Sequence, residues 1–157
     1  MNIKSRNIYL IYLLLYFSLL VGFYLNEDFS LGSRVDYFQH KISVAMFEKD
    51  FMKTLLSFGE EPTSHSPIFY IFFLFLKKVS FNENIARLIN LHLSLFIPYF
   101  FYLCLRLKYN FHRTNLKSLI PCIIFLSPYF RAGAIWIGSE NISLLFLIIS
   151  FYFFLKY

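Results

Sequence analysis

The sequence predicts an all-α integral membrane protein, with about four transmembrane helices and amphipathic surface helices in its first non-cytoplasmic loop. Three observations lead there. Of 157 residues, 58% are hydrophobic and only 15% are charged, whereas a soluble domain carries about one quarter charged residues. Aromatic residues make up 22% of the chain, which suits lipid contact and interface belts. Long apolar runs recur, separated by short polar breaks.

Residues 1–7 are polar and carry Lys4 and Arg6. The run 8–25 is uninterrupted and long enough to span, and no small-residue cleavage site follows it, so it reads as an uncleaved first membrane helix. Residues 26–66 form the longest polar stretch, an outer loop. Within it Val35, Phe38, Ile42 and Ala45/Met46 recur at helical spacing, opposite Asp36, Gln39, Lys41, Glu48 and Lys49. With Ser33 as N-cap, this predicts an amphipathic helix along a membrane surface. Residues 67–79 are apolar but end at Lys77-Lys78, and a run of 10–14 is short for a crossing. They read as an interfacial helix with snorkelling lysines.

Residues 88–105 span again. The loop 106–117 holds Arg106, Lys108, Arg113 and Lys117 and no acid. The run 118–137 is long enough to span and carries Arg131; residues 142–156 form the last span. Cationic loops stay in the cytoplasm. If 67–79 lies on the surface, the N-terminus, the loop 106–117 and Lys156 all fall on the cytoplasmic side of a multi-pass protein of the cell (inner) membrane. The outer loop and residues 138–141 then face the other way, and Asp36, His65 and Glu140 share that face. The net charge of +6 is thereby a topology signal, with the lipid bilayer as partner and no nucleic acid. Cys104 and Cys122 lie in apolar runs and read as buried thiols.

An ionisable residue inside a span is a functional candidate by default, and the planar fork of Arg131 pairs with phosphate oxygens. Glu140 and His65 are oxygen and imidazole donors of the kinds that hold a divalent metal. Each also reads as an ordinary group: a packing charge for Arg131, a helix-start acid for Asp36 and Glu140, an interface histidine for His65. Glu27, Glu60 and Glu61 are expected to be solvated. His92 is expected to bond between helices, and the Asn141-Ile142-Ser143 sequon to be fortuitous.

The stretches "SRVDYFQH", "HSPIFYIF", "ENIARLINLHLSLFIPYFFYLCLRL" and "SPYFRAGAIWIGSENISLLFLIISFYFF", in this order and topology, resemble the N-terminal part of membrane glycosyltransferases with the GT-C fold. The nearest set is that of protein mannosyltransferases, lipid A aminoarabinose transferases and rhizobial galacturonosyltransferase-like enzymes. The resemblance covers nearly all 157 residues. It implies a sugar donor on a polyprenyl phosphate, and transfer to a lipid, glycan or protein acceptor at the non-cytoplasmic face. It puts a catalytic carboxylate at Asp36, donor-phosphate binding at Arg131, and metal or acceptor binding at Glu140 and His65. A divalent metal is the cofactor it implies. The family often has Asp-Glu where this chain has Asp36-Tyr37. Asp28, preceded by Glu27, is the competing assignment, and the spacing from Asp36 to Pro67 favours Asp36. The resemblance implies that the chain corresponds to the N-terminal portion of such a domain, with a remaining C-terminal part or a partner subunit among its expected partners. The alternative from another class is a small non-catalytic multi-pass protein, an assembly subunit or transporter remnant.

Overall fold

The structure, a computed structural model, describes residues 5–28, 33–60, 65–80, 82–109 and 116–157. Its helices are α1 (Ser5–Tyr24), α2 (Ser33–Lys49), the short α3 (Phe51–Leu56), α4 (Pro67–Val79), α5 (Glu83–Ser94), α6 (Phe96–Tyr109), α7 (Pro128–Trp136) and α8 (Ser139–Lys156). Short 3-10 stretches cover Phe58–Glu60 and Leu116–Leu126, and no strand occurs among the described residues.

Among the described residues, two helices are long and apolar enough to cross a membrane: Glu83–Tyr109, in which α5 continues into α6, and Ser139–Lys156. At 1.5 Å per residue the first reaches about 40 Å and the second about 27 Å. The expectation of about four spans is corrected to two, or three if a bent pair counts as one. That pair replaces the expected straight span 118–137: Leu119–Leu126 and Pro128–Trp136 meet at 71°. Pro128 cannot donate to the preceding turn and disfavours helical backbone at Ser127. Ser127 is instead extended, and its hydroxyl accepts from the Phe130 N–H to start α7 anew. Helix α1 has 20 residues, about 30 Å at 1.5 Å per residue, and its stretch Tyr9–Tyr24 is apolar.

Side-chain contacts set the directions of these helices. Ser94, at the close of α5, meets Asn141 near the start of α8, and Cys104 meets Ile148 further along, so α5–α6 and α8 run the same way. Tyr16 meets His92 and Asn26 meets Arg87, so α1 runs opposite to them. Asn90 bonds the carbonyls of Gly133 and Ala134 while Arg87 bonds that of Ile135, so α7 also runs opposite. One end of the bundle therefore collects Asn26, Glu83, Trp136 and Ser139. The other collects the ends of α6 and α8, with Arg106, Lys108 and Lys156.

Helices α2 and α4 pack together at the first end. Ser66 caps α4, Pro67 supplies its first turn, and the Ser80 hydroxyl donates to the Leu76 carbonyl at its close. Thirteen residues make only about 20 Å, so α4 is too short to cross. Its Phe69, Tyr70 and Phe73 are buried against Tyr37, His40 and Phe47 of α2. Lys77, expected to snorkel, pairs with Glu48 of α2 at 2.7 Å. The apolar stripe read from the sequence of α2 is not the face that packs on protein: Val35, Phe38, Ile42 and Met46 are exposed, and Tyr37, His40, Val44 and Phe47 are buried. The helix thus has two nonpolar faces, one against α4 and α7 and one left open.

Polar side chains tie the bundle at main-chain carbonyls of α7. The Asn90 amide donates to the Gly133 and Ala134 carbonyls at 3.0 and 2.9 Å, and the Asn141 amide donates to the Phe130 carbonyl at 2.9 Å. Asn141 is therefore buried and engaged, as a fortuitous sequon requires. Mid-bundle, His92 bonds Tyr16 of α1 at 3.0 Å, the interhelical role expected of it.

Candidate functional site at the capped end of the bundle

Asp36 lies in the first turn of α2 and is exposed. One turn later His40 points inward and is buried, its ring centroid 4.6 Å from that of His65 in an edge-on arrangement. Burial, and then the neighbouring His65, pull the His40 pKa down to about 4, so its imidazole is neutral. The Nδ1 of His65 is 2.9 Å from the Ser139 hydroxyl. Glu140 follows in the first turn of α8 and is exposed. The loop before α4 and the start of α8 are thus joined at His65–Ser139, with α2 beside them. Of the four residues singled out from sequence, Asp36, His65 and Glu140 belong to this end, where His65 meets Ser139 beside Glu140 and Asp36 stands on α2.

Arg131 sits apart. Its Nε and a terminal nitrogen bond both oxygens of Glu27 at 2.5 and 2.6 Å, and further bonds reach the Ser18 hydroxyl and carbonyl. The expectation that Glu27 is solvated is corrected: its side chain is 8% exposed and that of Arg131 is 14% exposed. The reason is local. Past the end of α1, Asn26 adopts a left-handed backbone (φ 54°) and the Glu27 N–H returns to the Gly22 carbonyl, which folds Glu27 back over Gly22. A methyl group on Gly22 would press on the Glu27 carboxylate, so the glycine leaves room for the pair as it stands. The Glu27 carbonyl also accepts from the Trp136 indole at 2.9 Å.

A second basic group, which sequence reasoning did not single out, lies beside this pair. Arg87 is buried, its guanidinium 3.8 Å from the Trp136 ring centroid and 5.0 Å from that of Phe23. Its hydrogen bonds go to the Ile135 carbonyl and the side chains of Asn26 and Asn84, all neutral acceptors. Arg34, exposed in the first turn of α2, also lies over Trp136, at 5.5 Å. Lys41 pairs with Glu83 at 2.7 Å. Burial, with Glu83 nearby, holds the Tyr37 phenol well above its usual range. Asp28, the competing carboxylate, accepts the Arg34 N–H at 3.2 Å and so caps α2, a task expected of Ser33.

Among the described residues, no three His, Cys, Asp or Glu side chains converge as a metal-ligand set. A divalent ion at this end would need donors beyond His65 and Glu140. Comparison with protein-family models, curated proteins and solved structures found no match to this chain.

Proposed function

We propose that the chain is a membrane glycosyltransferase, or the N-terminal part of one, that moves a sugar from a polyprenyl-phosphate donor to a lipid, glycan or protein acceptor. It works at the non-cytoplasmic face of the cell (inner) membrane as a multi-pass protein with a cytoplasmic N-terminus. The observation that carries this reading is the open apolar stripe of α2. Val35, Phe38 and Ile42 are exposed beside Asp36, so a bilayer that takes up the stripe holds the Asp36 carboxylate at the level of lipid head groups.

In the proposed reaction Asp36 accepts the proton of the acceptor hydroxyl. The acceptor oxygen bonds the anomeric carbon, and the bond from that carbon to the phosphate oxygen breaks, its electron pair leaving with the polyprenyl phosphate. Glu140 and His65 line the same end and orient the acceptor. Arg131 reaches a phosphate only by exchanging Glu27 for it. That last point favours the second reading, a non-catalytic membrane subunit, in which the Glu27–Arg131 pair serves packing alone.

The experiment is a transfer assay on membranes containing the chain, with a radiolabelled sugar on polyprenyl phosphate. Label should move into the lipid, glycan or protein fraction above that in membranes lacking the chain. Equal counts in the two preparations would leave the subunit reading.

A further inference from the structure

Two guanidiniums share one indole at the capped end, and neither forms an ion pair among the described residues. Arg34 and Arg87 both lie over Trp136, at 5.5 and 3.8 Å, and Lys41 stands on the next turns of the same helix as Arg34. Glu83, one turn before Arg87 on α5, is already held by Lys41 at 2.7 Å. Arg34 forms no ion pair among the described residues; Asp28 meets its backbone N–H rather than its guanidinium. Two guanidiniums on one ring repel each other, and at the edge of a membrane the low dielectric strengthens that repulsion. An oxyanion between bilayer and protein would relieve it. Guanidinium suits phosphate because its fork offers two parallel N–H donors.

We propose that Arg34, on its Trp136 platform and backed by the buried charge of Arg87, seats the phosphate group of a lipid at the head-group layer. The open stripe Val35, Phe38 and Ile42 adjoining Arg34 on α2 would meet the acyl or isoprenoid chain of the same molecule. The seat stands apart from the transfer reaction: either a bilayer phospholipid or the donor itself satisfies it.

The chain contains a single tryptophan, so intrinsic emission reports on this site alone. The full chain in an uncharged maltoside detergent is titrated with a polyprenyl monophosphate, with phosphatidylglycerol, with diacylglycerol and with inorganic phosphate. A saturable change in Trp136 emission is expected with one or both phosphate lipids and not with diacylglycerol. Response to the polyprenyl phosphate alone assigns the seat to the donor, and an equal response to phosphatidylglycerol assigns it to the bilayer. Arg34→Gln should raise the half-saturating concentration at least tenfold, Arg34→Lys should raise it less, and Lys41→Gln should leave it nearly unchanged. An Arg34→Gln titration matching that of the native chain would overturn the proposal. So would a response to inorganic phosphate or diacylglycerol that equals or exceeds the response to the lipids. Phosphate binding without any sugar transfer would sustain this seat and sink the transferase reading, so the two fail separately.

Discussion

A carboxylate and a guanidinium that leave water together must satisfy each other closely, and Glu27 and Arg131 do so with paired bonds of 2.5 and 2.6 Å. Removing one partner strands the other as a buried charge. Glu27→Gln should therefore cost about 3–5 kcal/mol, read as earlier loss of helicity when the purified protein is titrated with SDS. The double change Glu27→Gln with Arg131→Met should recover much of that loss. Gly22→Ala should resemble Glu27→Gln, because the added methyl displaces the carboxylate. A second residue-scale effect comes from His40. Its folded pKa of about 4 lies below the ordinary 6.5, so between those values the unfolded chain takes up a proton that the folded one refuses. Stability is complete above about pH 6.5 and falls as pH drops toward 4, by up to roughly 3 kcal/mol. SDS titrations at several pH values should show that slope in the native chain and a flatter one in His40→Phe. Neither feature could be read from the chain beforehand. Glu27 and Arg131 are 104 residues apart, and nothing in the local pattern pairs them. His40 sits between polar and apolar positions of an amphipathic helix, where the pattern does not say which way it turns.

Among the elements, α2 and α4 form a sandwich held by aromatic side chains more than by charge. Tyr37 meets Phe73 at 5.4 Å between ring centroids, and Phe47 meets both Phe58 and Tyr70. Phe73→Ala should cost about 3–5 kcal/mol and loosen α2, measured as faster amide exchange over residues 33–49. Lys41→Ala removes a pair whose side chains are 42% and 44% exposed, so its cost should stay below about 1 kcal/mol. The shortness of 67–79, with Ser66-Pro67 before it, made α4 legible in the sequence, because a proline at the first helical position and a capping serine are local signals. The break at Ser127-Pro128 left an equally local signal, yet the length of the apolar run 118–137 outweighed it. For α2 the period revealed the stripe that stays open. The packed face was hidden because Tyr37 and His40 carry polar atoms and do not read as interior.

At the scale of the whole molecule, the helix directions divide the protein into two ends. Arg106, Lys108 and Lys156 gather at one, and α2, α4 and the start of α8 at the other. Single cysteines at Ser57 and Ser139, in a background lacking Cys104 and Cys122, should react with a membrane-impermeant thiol reagent in intact cells. One at Asn110, which lies outside the described residues, should not; labelling there from outside would turn the proposed face inward. The alternation of basic clusters made this arrangement legible in the sequence, because charge asymmetry acts over the whole chain. The number of crossings was not, because apolarity alone does not distinguish a straight helix from a bent one. Asp36 is proposed to serve sugar transfer at the outer face, and its isosteric substitution decides the matter. Asp36 is exposed, so Asp36→Asn should keep the fold, with a stability change within about 0.5 kcal/mol. Transfer from a polyprenyl-phosphate sugar should nevertheless fall by roughly 10²-fold or more, the scale of a lost acid–base group. Asp28→Asn keeps an oxygen to accept the Arg34 N–H and should transfer at nearly the native rate. Full activity in Asp36→Asn would contradict the account, and a collapse confined to Asp28→Asn would move the catalytic carboxylate to the end of α1.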